Sequence, residues 1–276
     1  MPSTPSPPLA QSHPTSPHSP LKELTGSSVL LVRPGTEVTN DELAKCARLF
    51  SDNYGVWGPK VNKPLYPGGR VKMNAARLRK QCLSDPENTI LSMRFINGEL
   101  VGHAFATQWK YGEHVVCWVT QLVVDINMRQ RYIATSLLQH ISMHAWFISA
   151  TIIGLVSSHP AACHAVAKLA GTAISRINLE FIQAHAEGIL NSTTVDYLKG
   201  IKLKGSLFDP TVDDGTVSLV DTSFFVDHDE PQATLDTYIQ DRCWVLGNLV
   251  DGHEFFMVVP VIRLEVAQSH PSDPFV

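Results

Sequence analysis

The sequence has little charge, no cysteine pairing pattern and no long apolar run, and each lack excludes something. Only 17% of the 276 residues are Asp, Glu, Lys or Arg, and 22 basic against 26 acidic residues leave a formal net charge of -4. That balance removes any global electrostatic reason to bind nucleic acid. Cys46, Cys82, Cys117, Cys163 and Cys243 contain no Cys-x-x-Cys pair, and their odd number argues against a disulfide framework and for a reducing compartment. The longest apolar stretch, Ala145 to Val156, is broken by Ser149, Thr151 and Gly154. It falls short of the roughly 20 residues that a hydrocarbon crossing needs. Met1–Pro20 has neither the basic flank and apolar core of a signal peptide nor the arginines of a transit peptide. These absences point to the cytoplasm, with the nucleus as the alternative, and to no membrane partner.

Apolar residues make up 44% of the chain, enough for a substantial core. They are not spread evenly. Seven of the 18 prolines fall within the first 20 residues, which hold no charged side chain, so residues 1–27 are expected to form a disordered tail. One domain is expected over 28–265, carrying an insertion at 172–205 that covers the sheet or packs on a neighbour, with a short tail at 266–276.

From Ser28 the signals alternate between strand and helix. Ser28–Val32 reads as a strand, and Thr39 or Asn40 as the N-cap of a helix carrying Leu43, Ala47 and Phe50. A helix over Val71–Leu83 precedes three strands, Thr89–Ile96, Leu100–Trp109 and Glu113–Val124. The first two of these are joined by Asn97-Gly98, a strong hairpin signal. A helix over Thr135–Phe147, a buried strand Ile152–Ser157 and a helix opened by His159-Pro160 follow. Ile174–Leu190 reads as one amphipathic helix. A strand over Val217–Val226, a helical patch at Ala233–Gln240 and a strand over Phe255–Val261 end the series. The expected class is a mixed α/β domain wrapped on one sheet.

The segment richest in chemistry runs from Val119 to Leu138: a buried strand, a turn holding Arg129 and Arg131, then a helix start. The unpaired amides and dipole of such a helix start attract anions, and two guanidinium groups add charge of the right sign for phosphate. His140 and His144 stand four apart on one helix face, but Ile141 occupies the position where a zinc-peptidase motif has Glu, and no metal is expected. Gly68-Gly69-Arg70 lacks the Gly-Lys-Ser/Thr of a Walker loop. Asp227-His-Asp-Glu230 reads as a strand end and helix cap, and His253-Glu254 as part of a turn after Asp251-Gly252; the alternative is that the last two strands bring these patches together to chelate a cation or supply a base.

The segment resembles motif A of the GNAT N-acetyltransferase superfamily, and looks most like a group of fungal proteins within it. Leu122-Val-Val124 matches the family's strand end, Arg129-Gln-Arg-Tyr-Ile-Ala134 its loop at the first and last positions, and Leu137-Leu138 its helix. The element order fits from Ser28 to about Gly171 and again over Val217–Val261.

The resemblance implies an acyl-CoA N-acyltransferase fold with a splayed central sheet, and acetyl-CoA as co-substrate. A small-molecule or protein amine would attack the thioester directly. It implies that Leu122, Val123 and Val124 pair with pantetheine, the Val124 amide facing the thioester carbonyl. Arg129, Gln130, Arg131, Tyr132, Ile133, Ala134 and Thr135 would hold the pyrophosphate. Tyr54 and Trp57, with Tyr66, fall in the region that covers the acceptor site. The splay is implied at Ser157–Pro160, which makes Ser158 and His159 the catalytic candidates, with Cys163 beside them. The chain departs from the family pattern at Tyr132, where glycine is usual, and at Ala162 and Leu169, where Asn and Tyr are common. Thr120 and Trp118 stand where other members carry a general base. A non-enzymatic acyl-CoA-binding module of the same fold is the alternative, and a metal-dependent hydrolase built on the His pairs a third reading.

Overall fold

The computed structural model describes residues 27–263. The expected tails therefore lie outside the described residues, apart from Ser27. Eight strands and six α-helices are present among the described residues. They are β1 (Ser28–Pro34), α1 (Asn40–Asn53), α2 (Ala75–Cys82), β2 (Thr89–Ile96), β3 (Glu99–Tyr111), β4 (His114–Val124) and α3 (Ile133–Met143). β5 (Ile152–Ser157), α4 (Pro160–Leu169), α5 (Leu179–Ser192), β6 (Lys202–Lys204), β7 (Leu219–Phe224), α6 (Asp229–Gln240) and β8 (Gly252–Pro260) complete them. All eight strands join one sheet in the order β1-β2-β3-β4-β5-β8-β7-β6, antiparallel except for the central β4–β5 pair. The mixed α/β class is as the sequence implies.

Strand alternation assigns the layers. Phe105 packs with Leu43, Leu78 and Leu91, and Trp109 donates its indole N–H to Ser192 at 3.2 Å, so this face of β3 carries α1, α2 and α5. The opposite face carries α3. A Cβ on Gly102 would lie 2.8 Å from Ile133 Cγ2, so glycine lets α3 lie close to the sheet. α4 packs beside α3, and α6 lies on α4, where His164 Nδ1 and the Tyr238 hydroxyl are 3.1 Å apart.

Local chemistry sets the element ends. Thr39 and Glu42 form a capping box on α1, and Asn74 caps α2 by accepting from the Arg77 amide at 2.9 Å. That cap moves the start of the second helix from the expected Val71 to Ala75. The expected helix at 135–147 ends at Met143, because His144 accepts the Trp146 amide and starts a separate 3-10 turn. The single helix expected over Ile174–Leu190 is a 3-10 turn followed by α5, divided where Asn178 caps the Phe181 amide at 3.0 Å. β6 has no counterpart in the sequence reading, being only three residues long. The Asn97-Gly98 turn has both residues at positive φ, 53° and 82°, as a tight hairpin requires.

The central pair positions the site. β4 and β5 pair from Val116–Ile152 to Val119–Leu155 and no further. At that point the β3–β4 register shifts, because Phe105 faces Gln121 while Ala106 faces Val119, leaving Thr120 as a bulged extra residue. A bulge bends its strand, and here it carries the end of β4 away from β5. The sheet is open between Thr120–Val124 and the end of β5.

Candidate functional site

The opening exposes a backbone edge. The Asp125 amide donates to the Val101 carbonyl of β3 at 2.9 Å. Alternation along the antiparallel ladder then turns the amides of Leu122 and Val124 away from β3 and into the gap. Among the described residues no strand lies there to receive them.

The helix that follows β4 begins without a cap. Among the described residues α1, α2, α4 and α5 each have a capping side chain at the N-cap position, whereas Tyr132, the N-cap of α3, offers none. The amides of Ile133, Ala134 and Thr135 therefore precede the first intrahelical bond, which runs from the Ser136 amide to the Tyr132 carbonyl at 2.9 Å. Tyr132 adopts the left-handed conformation, φ 58° and ψ 16°, and Gln130 has φ 60°. The backbone thus takes the shape that glycine would favour, at a cost on the order of 1–2 kcal/mol for a residue bearing Cβ. Tyr132 is 62% exposed, with the Lys168 ammonium 5.7 Å from its ring centroid, so the ring leans outward and leaves the loop clear.

Arg129 faces elsewhere. Its guanidinium pairs with the Glu230 carboxylate and donates to the Asn53 carbonyl at 2.7 Å. The Nε2 of His159 stands 3.6 Å from the same carboxylate. His159 beside it, and the Arg129 hydrogen bond and charge, together bring the Glu230 carboxyl down to about 2 against a partly opposing desolvation. This latch joins the loop after β4 to the starts of α4 and α6. It also answers the sequence reading of residues 227–230: Asp227 caps α6 by accepting the Asp229 amide at 3.0 Å, and Glu230 does more than cap.

A cavity of about 680 Å³ reaches through the opening from the α1–α2–α5 face. Tyr54 and Trp57 line it, as does Leu122, whereas Tyr66 lies on the surface away from it. Ser157 borders the cavity, but neither Ser158 nor His159 does. Ser158 is buried, and His159 Nδ1 accepts the Ala161 amide at 3.2 Å as the cap of α4. Cys163 is fully buried, and desolvation raises its thiol above the range in which it ionises.

The buried acid that lines the cavity is Glu254, which the sequence places in a turn with a role as base as the alternative. It lies inside β8, opposite Val220, because the strand begins at Gly252 and not at Phe255. Two residues along, Phe256 packs against Trp118, so Glu254 shares that face of the sheet. The residue is 8% exposed. Burial pushes its carboxyl up to about 7, with Thr222 and the Ser158 amide pulling partly the other way. Tyr54 and Tyr197 stand near enough that its charge adds to the burial raising both phenols. Tyr197 is anchored by the Trp118 indole N–H at 3.0 Å.

The floor of the cavity carries two more polar groups. Gln121 Oε1 accepts from His103 Nε2 at 2.7 Å, and its Nε2 finds no partner among the described residues; the same is true of the Thr120 hydroxyl oxygen. Burial lowers His103 to about 4, so its ring is neutral at pH 7.

No family model matches this chain, and no curated protein matches it. Among solved structures it is similar to an acetyltransferase of the GNAT family from Streptococcus pneumoniae, 18% identical over 51% of this chain and 83% of that one, with a TM-score of 0.35. It is also similar to the diaminobutyrate acetyltransferase of Paenibacillus lautus, which was solved with its substrate and coenzyme A. That likeness is 15% identical over 69% of this chain and 89% of that one, with a TM-score of 0.32. An aminoglycoside acetyltransferase from an uncultured soil metagenomic sample, in complex with sisomicin, is 13% identical over 46% of this chain and 76% of that one, with a TM-score of 0.34.

Proposed function

We propose that the protein is an acyl-CoA-dependent N-acetyltransferase of the GNAT type, with acetyl-CoA as acyl donor and a primary amine as acceptor. The observation that carries this reading is one cavity containing a buried carboxylate, Glu254, and opening onto the gap where β4 leaves its backbone edge unpaired. The residues present fit the donor. Leu122 and Val124 would pair with its pantetheine arm as with a further strand. The amides of Ile133, Ala134 and Thr135 would receive its pyrophosphate, and the glycine-like turn at Tyr132 keeps that cradle clear. Arg131 remains for the phosphates, whereas Arg129 serves the latch with Glu230.

The donor supplies a thioester carbonyl. Glu254, whose carboxyl burial raises to about 7, removes a proton from the attacking amine. The nitrogen forms the new bond to the carbonyl carbon, the carbon–sulfur bond breaks, and the sulfur leaves to be protonated as the free thiol. The Val124 amide would stabilise the negative charge that builds on the carbonyl oxygen. Tyr54, Trp57 and Tyr197 exclude water around the nitrogen. Glu254 thereby fills the role of base that Trp118 and Thr120 on β4 cannot, and no such role falls to Ser158 or His159.

Calorimetry with acetyl-CoA, followed by thiol release over a panel of primary amines, tests the reading. At about 100 times its Kd, acetyl-CoA should stabilise the fold by about 2.7 kcal/mol. Binding with thiol release supports the transferase. Binding without turnover of any amine supports the non-enzymatic module, and no binding removes both.

A further inference from the structure

The cavity is divided by charge. Its inner end holds the buried Glu254 and the half-buried Asp221, whereas the exposed rim on the α2 side holds Lys72, Arg77 and Lys80. None of these three cations has a carboxylate within ion-pair distance among the described residues; Arg77 reaches only the Lys72 carbonyl, at 3.4 Å. Across the mouth, Lys199 is already taken by Asp196 at 2.7 Å. The bias extends along the chain. Residues 53–84 carry seven Lys and Arg and not one Asp or Glu, in a protein whose formal net charge is -4.

Clustered like charges repel, and an unpaired cluster at the rim of a cavity favours an anion. The rim lies on the α1–α2–α5 face, across the sheet from the uncapped start of α3, so the pyrophosphate cradle and this cluster are separate. Gln121, buried beneath the cavity, has an amide nitrogen without a partner among the described residues. At about 680 Å³ the cavity has room for a thioester arm and one small molecule.

We infer that the acceptor is a small primary amine that also bears an anionic group, a carboxylate or a phosphate. Its amine enters toward Glu254 and its acid stays at the rim formed by Lys72, Arg77 and Lys80. This rests on the transferase reading and narrows it to a substrate class. Charge-assisted hydrogen bonds of this kind favour the acid-bearing amine by roughly tenfold or more.

The test is acetyl-CoA-dependent thiol release with the full chain on matched amines. The acid-bearing members are 4-aminobutyrate for carboxylate and 2-aminoethyl phosphate for phosphate; the acid-free members are butylamine and 1,4-diaminobutane. The expected result is a kcat/KM at least about tenfold higher for an acid-bearing amine, and the better of the two identifies the anion. In the Arg77→Glu/Lys80→Glu double variant that preference should collapse to within a few-fold, mainly through KM, with unchanged acetyl-CoA affinity and melting temperature. Equal or better use of the acid-free amines overturns the inference and leaves the transferase standing. So does turnover confined to peptide amino termini. Loss of acetyl-CoA affinity in the double variant assigns the rim to the donor's phosphates and also overturns it. Absence of acetyl-CoA binding by the parent chain overturns the transferase reading itself, and binding without turnover of any amine overturns both.

Discussion

The two halves of β4 are built on opposite terms. From Val116 to Val119 the strand is paired on both sides and buried, with Trp118 filling the space above Gly154, where a Cβ would lie 2.5 Å from the indole. From Thr120 to Val124 it is paired on one side only, and its polar side chains Thr120 and Gln121 have atoms with no partner among the described residues. One half holds the sheet together. The other holds a gap open, and the bulge at Thr120 is the boundary between them. An unpaired strand edge in the middle of a sheet leaves backbone donors unsatisfied, which a fold tolerates where a ligand completes the pairing.

Substitutions on the two sides of that boundary should separate stability from chemistry. The largest expected effect is on the closed half: Trp118→Ala should lower stability by about 3–5 kcal/mol in urea titration, because it empties a fully buried site and releases Tyr197. A loss below about 1 kcal/mol would mean that this half is not the keystone of the sheet.

Next comes Glu254→Gln at the open end. It should lower turnover by about 100-fold or more and abolish the rise of kcat/KM with pH centred near 7. It should also change stability in a direction set by the carboxyl. The folded value of about 7 is raised above the usual 4.5, so the buried group is tolerated fully only below 4.5. As pH climbs from there through 7 the fold loses on the order of 3 kcal/mol. The variant should therefore melt above the parent at pH 8 and level with it at pH 4; a lower melting point at pH 8 would contradict the account of this site. The smallest effect is expected at Tyr132→Gly, which relieves the left-handed backbone at the start of α3. It should gain about 1 kcal/mol or less without weakening acetyl-CoA, whereas a large loss of affinity would show that the ring itself holds the donor.

The strands of the sheet were more legible in the sequence than the side chains of the site. The strands Thr89–Ile96 and Ile152–Ser157 have the bounds expected from their apolar runs, and the Asn97-Gly98 turn its expected backbone. The loop over residues 129–135 stood out because a strand, two arginines and a helix start share one segment. Its finer role for Arg129 did not, since the partner that claims it, Glu230, lies 101 residues away. For Glu254 the turn stood ahead of a role as base for a related reason. Following Asp251-Gly252 it looks like turn chemistry, and only pairing of β8 with both β5 and β7 turns it inward. A signal was present all the same: Glu254 keeps step with Phe256 and Val258 in the period-two pattern of the buried run that follows. The acid-free stretch at 53–84 was equally visible, but its meaning depends on α2 reaching the rim of a cavity.

Hydrogen–deuterium exchange with and without acetyl-CoA tests the open edge most directly. The account predicts slowed exchange in peptides covering 120–125 and 132–136, where the amides of Leu122, Val124 and the first turn of α3 gain partners, with little change over 152–157. Unaltered exchange in both segments at saturating acetyl-CoA, or protection confined to other parts of the sheet, would contradict it.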